Sequence, residues 1–450
     1  MSDVSTILDG LRQSSPGQTE FYQAVEEVLE VLTPVLDAEP RYRQEGVIER
    51  LLEPERQILF RVAWVDDAGR VRVNKGFRVQ FNSALGPYKG GLRFHPSVNG
   101  GIIKFLGFEQ IFKNALTGLP LGGAKGGSDF NPKNCSRGEV MRFCQAYMTA
   151  LYRHIGATVD VPAGDIGVGH REIGYLYGQY RRLSGRFEGV LTGKPVGWGG
   201  SLGRKEATGY GCVYFAENML AERGESLTGK TCLVSGAGNV ALYTMEKLVD
   251  LGARPVTCSD STGTLIHRAG LDVPLLKTIK ERDRSALQGY LNVHQDAQFI
   301  PVSDYESGRS PVWQESGDVA FPCATQNELS GPDAETLIAN GVSCVSEGAN
   351  MPSTREAISV FLRAGISYGP GKAANAGGVA VSQLEMQQNA AMASWPAERV
   401  DTALRAIMHD IHQRASHTAR EFGVQGNLVL GANIAGFRRV ADAMIEQGVY

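Results

Sequence analysis

The stretch Thr231–Ala241, TCLVSGAGNVA, decides the fold of this chain. Its first residues form a short, mostly apolar run typical of a buried strand, and its glycines follow a GxGxxA pattern that opens a helical segment. In such a turn Gly236 permits the tight reversal, Gly238 lets the backbone approach a pyrophosphate, and the small Ala241 lets helix and strand pack closely. A plain glycine turn is the alternative, but Asp260 also ends the next apolar run. The stretch therefore predicts a dinucleotide site.

Strands and helices alternate around this stretch, from about residue 198 to about residue 424. A helix is predicted over 239–251, and short apolar strands are predicted over 231–234, 255–258, 319–321, 342–345 and 366–368. Such alternation indicates a parallel sheet covered on both faces. We therefore predict an α/β fold in which residues 198–424 form a Rossmann-like dinucleotide-binding domain with hinge helices. Long amphipathic helices are predicted over 397–421 and 432–447, whereas 282–310 shows no pattern.

The N-terminal part of the chain has a different pattern. Apolar residues at helical spacing predict a helix over 19–36, and further helices are predicted over 101–116 and 137–154. Between them, apolar residues alternate with polar ones over 71–82, which predicts a strand with one solvent-exposed face, paired in a hairpin with 58–65. Residues 1–197, together with 425–450, are predicted to form a second domain.

Composition narrows the classes of function. The 450 residues carry a formal net charge of −3, which gives no reason to expect a nucleic acid or an anionic membrane as partner. No apolar run approaches the roughly 20 residues that span a bilayer, and the first ten residues lack the features of a secretory signal. The seven cysteines are scattered without a CxxC motif, which is typical of reduced, buried thiols. We therefore predict a cytoplasmic protein.

Three lysines stand in or near glycine-rich segments: Lys89 in GPYKGGLRF, Lys113 in FEQIFKNAL and Lys125 in PLGGAKGGSDF. Gln110 lies three residues before Lys113 and so shares its face of the predicted helix. Three ammonium groups suit a substrate with two carboxylates. Their mutual repulsion would bring one of them towards neutrality, as general acid–base catalysis requires. The alternative is that these lysines are solvated and have no catalytic role.

Two further groups of polar residues have competing interpretations. Asp165, in PAGDIGVG, is either a catalytic carboxylate or a turn-forming aspartate. His409 and His412 are three residues apart on a predicted helix, a spacing compatible with zinc, but no third ligand is evident nearby. We predict that the two histidines lie on a solvated helix face and that the chain has no metal site.

Nine motifs occur along the chain in this order: KGGLRF, PLGGAKGG, PAGDIGVG, EATGYG, SGAGNVA, PCATQNEL, EGANMP, GKAANAGGV and GANIAGF. With them the chain resembles the hexameric glutamate dehydrogenases of the short bacterial type, within the Glu/Leu/Phe/Val dehydrogenase family, from about residue 45 onwards. The resemblance implies reversible oxidative deamination of L-glutamate to 2-oxoglutarate and ammonium. It also implies a homohexamer, and an active-site cleft between a mixed-sheet substrate and oligomerisation domain and the dinucleotide-binding domain.

The resemblance also implies roles for the residues that match these motifs. Lys125 would activate water for attack on the iminium intermediate, and Asp165 would carry the proton to and from the substrate nitrogen. The other substrate residues would be Lys89 and Ser382 at the side-chain carboxylate, Lys113 and Gln110 at the α-carboxylate, and Asn375 and Val379 along the cleft.

The resemblance and the glycine pattern together imply contacts to a nicotinamide cofactor. Thr208 and Asn350 would contact the nicotinamide carboxamide and the ribose, and the turn would bind through Ser235, Gly236, Gly238, Asn239 and Val240. The segment Ser259-Asp260-Ser261 has two interpretations. An acid at this position normally binds a ribose 2′-hydroxyl and favours NAD, whereas the neighbouring hydroxyls resemble NADP-dependent members, with Lys133 and Lys280 as counter-charges to a 2′-phosphate. We predict NADP.

Two other functions are compatible with this fold. A branched-chain or aromatic amino acid dehydrogenase would need an apolar pocket, which Lys89 together with Ser382 argues against. A catalytically inactive nucleotide-sensing protein would not need both Lys125 and Asp165. We therefore predict glutamate dehydrogenase activity.

Overall fold

The computed structural model describes residues 4–14 and 16–449. The chain forms two compact units. The first comprises the chain up to Leu202, Val381–Val400 and the residues from Asn433 onwards, and the second comprises Gly203–Ala380 and Asp401–Ala432. The predicted domains, 1–197 with 425–450 and 198–424, have their main boundary near the same residue. They differ from the units at residues 381–400 and 425–432.

Buried polar contacts explain why residues 381–400 belong to the first unit. The carboxylate of Glu385 is fully buried and pairs with Lys194, with Nζ and Oε1 2.8 Å apart. Gln388, about one helical turn further on, donates from Nε2 to Ser201 Oγ at 2.8 Å. These contacts join segments more than 180 residues apart in the sequence. A local pattern of apolar residues cannot reveal them.

The elements follow in chain order. The helices are α1 (Val4–Ser14), α2 (Thr19–Ala38), α3 (Arg41–Gln44), α4 (Val47–Leu52), α5 (Gly100–Leu116), α6 (Arg137–Leu151), α7 (His170–Ser184), α8 (Ala207–Ala221), α9 (Asn239–Asp250), α10 (Val273–Lys277), α11 (Gly331–Ala339), α12 (Arg355–Ala364), α13 (Gly371–Ala374), α14 (Gly377–Ala390), α15 (Ala397–Glu421) and α16 (Leu428–Glu446). The strands are β1 (Arg56–Val65), β2 (Val71–Asn82), β3 (Tyr88–Phe94), β4 (Gly123–Ser128), β5 (Asp160–Gly164), β6 (Thr231–Val234), β7 (Arg254–Asp260), β8 (Gly263–Ile266), β9 (Gln298–Pro301), β10 (Val319–Phe321), β11 (Cys344–Ser346) and β12 (Ser367–Gly369).

The first unit contains a mixed five-stranded sheet in the order β1-β2-β4-β3-β5. Strands β1 and β2 form the predicted antiparallel hairpin, and β2 also pairs antiparallel with β4. Strand β3 runs parallel to both of its neighbours, β4 and β5. The predicted helices of this unit are confirmed as α2, α5 and α6. The parallel order matters for function because it brings the carboxyl ends of β3, β4 and β5 to one edge.

The prediction of a solvent-exposed face on β2 holds for its first half, where Arg72 is exposed, and is wrong for its second half. The polar residues of that second half, Arg78, Gln80 and Asn82, are at most 4% exposed. Arg78 Nε donates to Asp160 Oδ2 at 2.8 Å, and Gln80 Nε2 donates to the same oxygen at 2.9 Å. Asp160 lies 82 residues from Arg78, so the sequence near β2 gives no sign of this buried ion pair. Conversely, Val73, predicted to be buried, is 62% exposed.

The second unit contains a seven-stranded sheet in the order β12-β11-β10-β6-β7-β8-β9. The first five strands of this order are parallel, which confirms the predicted parallel sheet. Strands β8 and β9 continue it in antiparallel fashion and were not predicted. Strand β9 lies inside the segment without a pattern, after a 3-10 helix at Leu287–Asn292. Short strands with partly exposed residues carry too little apolar periodicity to be recognised.

The predicted environments of cysteines and histidines are partly confirmed. All seven cysteines are free thiols, and six of them are buried. His409 is exposed as predicted. His412 is fully buried beside the ring of Phe215, with ring centroids 5.3 Å apart, so the predicted solvated face is wrong for this residue. Among the described residues, none of the helices has the length and apolar character needed to cross a membrane.

Candidate active site

Lys125 and Asp165 face each other at the sheet of the first unit. Lys125 lies on β4 and Asp165 directly follows β5, and β3 runs between these two strands. Lys125 Nζ is 3.3 Å from Asp165 Oδ2, and Arg93 of β3 donates from Nε to the same oxygen at 2.7 Å. All three side chains are largely buried, with at most 19% of each exposed. Two cationic groups thus engage the Asp165 side chain, which favours its catalytic interpretation over a turn-forming one.

The surroundings change the ionisation of both groups. Burial lowers the pKa of Lys125, and although Asp165 raises it, Arg93 and Arg78 lower it further, so the net shift is downwards. Burial raises the pKa of Asp165, but Lys125 and Arg93 outweigh burial and hold it below its ordinary value. The sequence predicted that repulsion between neighbouring lysines would lower the pKa of one of them. In the structure, the pKa of Lys125 is lowered mainly by burial and by two arginines.

Gly91 of β3 leaves the room that this pair needs. A Cβ on Gly91 would lie 2.8 Å from Asp165 Cβ and 3.4 Å from Lys125 Nζ, so any larger residue would displace the carboxylate. Gly91, in the motif KGGLRF, therefore lets the β3 backbone lie close to the reacting groups.

The ammonium group of Lys89 is buried beside β5. Lys89 is 1% exposed, and its Nζ donates to the carbonyl oxygen of Val161 at 2.9 Å and to Thr192 Oγ1 at 2.7 Å. Thr192 is in turn held to β5, because its backbone N–H donates to Pro162 O at 3.0 Å. A buried charge persists only where such partners compensate its desolvation. An aliphatic substrate side chain would be unfavourable next to it.

Asn114 links the helix that carries Gln110 and Lys113 to the strand that carries Lys89. Its Nδ2 donates to the backbone oxygens of Lys89 at 3.0 Å and of Gly122 at 2.6 Å. Its Oδ1 accepts from Gln110 Nε2 at 2.7 Å. Lys113 lies in the last turn of the same helix, α5. Gln110 of α5 and the backbone of Lys89 on β3 are therefore joined through Asn114.

The remaining predicted substrate residues divide between the two units. Ser382 lies in the part of α14 that belongs to the first unit, and it is 2% exposed. Lys89, on β3, belongs to the same unit. Val379 and Asn375 belong to the second unit. Asn375 donates from Nδ2 to Asn350 Oδ1 at 2.9 Å. A predicted substrate residue and a predicted cofactor residue are thus in direct contact in the second unit.

The glycine turn has the predicted strand–turn–helix geometry. Strand β6 ends at Val234, α9 begins at Asn239, and Gly236 has a φ of +83°, which disfavours other residues. A Cβ on Gly236 would also lie 3.0 Å from Cys323 O. A Cβ on Gly238 would meet nothing within 4 Å, so there is open space at the start of α9. A helix N-terminus with room before it fits a pyrophosphate.

The other predicted residues of the turn are anchored or partly exposed. Ser235 Oγ accepts from the backbone N–H of Cys323 at 2.8 Å, which ties the turn to the segment after β10. Asn239 is exposed, and Val240 and Thr208 are partly buried. These residues leave exposed surface around the start of α9 where a dinucleotide could lie.

Lys280 pairs with Asp260 at the end of β7, with Nζ and Oδ2 2.8 Å apart. Burial raises the pKa of Asp260, but hydrogen bonds from Lys280 and from Thr262 outweigh burial and hold this pKa below its ordinary value. Ser259 Oγ accepts from the backbone N–H of Gly236 at 2.9 Å, so this segment adjoins the glycine turn. Ser261 is exposed beside it. The predicted counter-charge Lys280 therefore lies at the predicted 2′-phosphate segment.

Two family models match the chain. The model described as "Glu/Leu/Phe/Val dehydrogenase, dimerisation domain" covers residues 54–182, and "Glutamate/Leucine/Phenylalanine/Valine dehydrogenase" covers residues 199–448. The chain belongs to the Glu/Leu/Phe/Val dehydrogenase family. The gap between the two matches lies close to the main boundary between the two compact units of this dehydrogenase.

Relatives and solved structures of this family match the whole chain. The chain is 61% identical over 446 residues to the NADP-specific glutamate dehydrogenase of Helicobacter pylori (strain ATCC 700392 / 26695), covering 99% of this chain and 100% of that protein. It resembles the crystal structure of Plasmodium falciparum glutamate dehydrogenase with a TM-score of 0.95 and 50% identity, over 99% of this chain and 95% of that one. The hetero-hexameric glutamate dehydrogenase of Thermus thermophilus gives a TM-score of 0.83 and 28% identity, over 97% and 98% of the chains.

Three residues of this dehydrogenase site were not predicted from the sequence: Arg93, Thr192 and Asn114. Arg93 could have been found, because Lys89, Gly91 and Arg93 alternate on one face of a strand within the motif KGGLRF. Thr192 lies 103 residues from the lysine that it contacts, and no local pattern marks it. Asn114 looks like an ordinary polar residue of an amphipathic helix until the loop before β4 packs against it.

Proposed function

We infer that this protein is a glutamate dehydrogenase, which interconverts L-glutamate with 2-oxoglutarate and ammonium and uses NADP. The observation that carries the inference is the buried pair Lys125–Asp165, with Nζ and Oδ2 3.3 Å apart, in a chain 61% identical to an NADP-specific glutamate dehydrogenase. A nucleotide-sensing protein without catalysis would have no need for a buried lysine of lowered pKa beside a carboxylate.

A substrate with two carboxylates is supported by the cations of the first unit. Lys89, with Ser382 in the same unit, binds the side-chain carboxylate, and Lys113, helped by Gln110, binds the α-carboxylate. Burial strengthens the interaction between the Lys89 ammonium and a carboxylate, because water screens it less. The same burial disfavours the aliphatic and aromatic side chains that other members of the family accept. Glutamate is therefore the preferred substrate of this site.

The chemistry follows from the ionisation of the central pair. The Cα–H bond of glutamate breaks with loss of a hydride, and an iminium forms between Cα and nitrogen. Neutral Lys125 then accepts a proton from the water molecule that attacks the iminium carbon. Asp165, which took a proton from the substrate ammonium group before hydride loss, returns that proton to the nitrogen of the resulting carbinolamine. The C–N bond then breaks, the carbonyl of 2-oxoglutarate forms, and the departing ammonia takes up the hydroxyl proton to become ammonium. NADP, when bound, supplies the acceptor for the hydride and, in reverse, its donor.

The second unit contributes the residues that hold the cofactor. The glycine turn, through Ser235, Gly236, Gly238, Asn239 and Val240, binds the pyrophosphate at the start of α9. Thr208 and Asn350 contact the nicotinamide carboxamide and ribose. Asn375 donates a hydrogen bond to Asn350 and so fixes the Asn350 side chain. The hydroxyl groups of Ser259 and Ser261 donate hydrogen bonds to the 2′-phosphate. Lys280 offsets the negative charges of the 2′-phosphate and of Asp260. This assignment favours NADP over NAD.

The proposal extends to a homohexamer in the cytoplasm. The hexamer is supported by the similarity to the Thermus thermophilus enzyme, whose own assembly is hetero-hexameric. A reducing compartment is supported by seven cysteines without a disulfide. Light scattering should give about six times the chain mass of 48.5 kDa. A monomer or dimer at working concentration would contradict the hexamer without touching the proposed reaction.

The reaction is tested by following NADPH and, separately, NADH oxidation with 2-oxoglutarate and ammonium. We expect turnover with a strong preference for NADPH, and little turnover when the keto acid is 2-oxoisocaproate, the keto analogue of leucine. A preference for NADH would leave the reaction standing and overturn the proposed role of Ser259 and Ser261. Faster turnover with the leucine analogue would overturn the substrate. No turnover with any pair would favour the nucleotide-sensing alternative.

A further inference from the structure

Two histidines and a carboxylate converge in the second unit, apart from every residue assigned above. His267 follows strand β8, and His294 and Asp296 lie between the 3-10 helix at Leu287–Asn292 and strand β9. Strands β8 and β9 pair in antiparallel fashion, so the sheet brings these two parts of the chain side by side. The motifs that carry the family resemblance do not include this part of the chain. The cluster therefore needs an explanation of its own.

The three side chains place metal-ligating atoms close together. One nitrogen of each histidine and one carboxylate oxygen of Asp296 all lie within 4.8 Å of one another. His267 Nε2 and Asp296 Oδ2 are 3.1 Å apart. Ligands about 2.0–2.1 Å from a tetrahedral zinc ion lie about 3.3 Å from each other. One pair thus already has the separation of a zinc site, and small side-chain movements would bring the third ligand to the same distance.

Neighbouring groups orient both imidazole rings. His294 Nε2 lies 3.1 Å from Asp272 Oδ2, and an imidazole that donates from Nε2 keeps its lone pair on Nδ1. A carboxylate behind a metal-binding histidine is a recurrent feature of zinc sites. Tyr290 stacks on the His294 ring, with centroids 4.8 Å apart, and its hydroxyl lies 2.9 Å from His267 Nδ1. His267 Nε2 is hydrogen-bonded to Asp296 Oδ2 in this structure. When Nδ1 carries the proton and donates it to the Tyr290 hydroxyl, the lone pair of Nε2 is available to a metal that replaces this bond.

Burial differs across the cluster in the way an accessible metal site requires. The His267 side chain is 6% exposed, whereas the Asp296 side chain is 70% exposed. An ion could therefore enter from the solvent side, and water could complete its coordination there. Within the described part of the chain, this is the one group of three or more such side chains that converges in this way.

We propose that His267, His294 and Asp296 form a binding site for a divalent transition-metal ion, most favourably Zn²⁺, with a water molecule as fourth ligand. Two imidazoles and one carboxylate are a ligand set that zinc accepts. Asp272 acts behind His294 as a positioning residue. The ion joins the end of β8 to the segment before β9, so its binding stabilises this antiparallel extension of the sheet. The prediction of no metal, made from His409 and His412, did not consider these residues.

The test uses the full-length protein, freed of metal by a chelator and then titrated with ZnCl₂. We expect about one zinc ion per chain by calorimetry, and by elemental analysis after desalting. Zinc at about 100 times its dissociation constant should raise the thermal unfolding midpoint by about 5–10 °C. Co²⁺ in place of zinc should give the visible absorption of a four-coordinate site. All four readouts are independent of enzyme activity.

Variants separate this site from other zinc-binding groups. His294→Gln and Asp296→Asn change partly exposed residues, and each should weaken zinc binding by more than about 10-fold and abolish the thermal shift. Asp272→Asn should weaken binding by about 10–100-fold while keeping one ion per chain. His417→Gln, at an exposed histidine of α15, should bind zinc like the unaltered protein. Absence of zinc binding, or equal affinity in His294→Gln and in the unaltered protein, would overturn the proposal.

Discussion

Lys125 Nζ lies 3.3 Å from Asp165 Oδ2, although the strands that carry them, β4 and β5, are separated by β3. The pair is possible because β3 carries Gly91 between them, where a Cβ would lie 2.8 Å from Asp165 Cβ. Burial gives Lys125 a lowered pKa, and the nearby cation Arg93 reinforces the shift. The rate of the chemical step should therefore depend most strongly on this pair.

Replacing either member of the pair should abolish most of the catalysis. We expect Lys125→Ala and Asp165→Ser each to lower kcat by about 10²–10⁴-fold, the usual contribution of a positioned acid or base. Binding of NADPH, measured by fluorescence titration, should stay within about twofold, because its proposed residues lie in the second unit. Lys75→Ala, at an exposed lysine of strand β2 in the first unit, is the matched control. Turnover near that of the control in either variant would remove the catalytic assignment.

Arg93 should set the pH at which the enzyme becomes active. It contacts Asp165 and, by its charge, lowers the pKa of Lys125. Because Lys125 must lose a proton to accept one from water, the rate should rise with pH through the pKa of Lys125. Arg93→Gln removes a nearby cation, so that pKa should rise and the ascending limb of the kcat/KM profile should move to higher pH.

Arg93→Lys keeps the positive charge and should restore most of the original pH profile. The two variants therefore distinguish an electrostatic role from a purely structural one. A fall in kcat/KM that is the same at all pH values in Arg93→Gln would mean that Arg93 only holds the fold of the site.

Lys280 should contribute to the choice of NADP over NAD. Its ammonium group neutralises Asp260, with Nζ and Oδ2 2.8 Å apart, and without it the carboxylate would repel a 2′-phosphate. We expect Lys280→Ala to raise the KM for NADPH by about 10-fold, consistent with loss of a charge-assisted contact, and to change the KM for NADH little. Arg282→Ala removes an exposed cation from the same segment and serves as control. An equal rise for both cofactors would contradict the assignment.

The buried ion pair between Arg78 and Asp160 should dominate the stability of the first unit. Both side chains are 0% exposed, and Asp160 also accepts from Gln80. Arg78→Met would leave the Asp160 carboxylate buried without its cation and should cost about 3–5 kcal/mol in the free energy of unfolding. Arg12→Ala breaks the exposed Arg12–Asp9 pair of α1 and should cost less than about 1 kcal/mol. Urea unfolding followed by tryptophan fluorescence measures both; equal effects would contradict the buried-pair argument.

Glu328 should make stability depend on pH near neutrality. Burial raises the pKa of Glu328 from 4.5 to about 7, although hydrogen bonds from the backbone of Ala324 and Thr325 oppose the shift. The folded protein then holds this proton up to about pH 7, whereas the unfolded chain loses it near 4.5. The free energy of unfolding therefore falls as the pH rises from about 4.5 to about 7, by up to about 3 kcal/mol.

Glu328→Gln keeps an oxygen acceptor and removes the ionisation. It should flatten this part of the pH profile, so that the variant has the higher thermal unfolding midpoint above pH 7. Glu335→Gln, at an exposed residue of α11, should follow the unaltered protein at every pH. Parallel pH profiles for Glu328→Gln and the unaltered protein would refute the role of Glu328.

Most of the fold could be predicted because local chemistry encodes it. The turn after β6 needs Gly236 at a φ of +83°, and helix α5 and the β1–β2 hairpin follow from periodicities of their own residues. Strands β8 and β9 escaped prediction because each has only four residues, too few for a recognisable periodicity, and the residues of β9 are partly exposed. Likewise, the polar face of β2 reads as solvated until Asp160, from β5, is packed against Arg78.

The sequence by itself determined which residue types are available to the site: the lysines 89, 113 and 125, the acid at 165 and the glycines that leave room around them. Only the tertiary structure decided their ionisation and partners. Lys125 owes its lowered pKa to burial and to Arg93, and Lys89 is held by Thr192, 103 residues away. The physical reason is that desolvation and electrostatic interaction depend on distance in space. The cluster of His267, His294 and Asp296 is likewise decided by the tertiary structure, because it exists only once β8 and β9 pair.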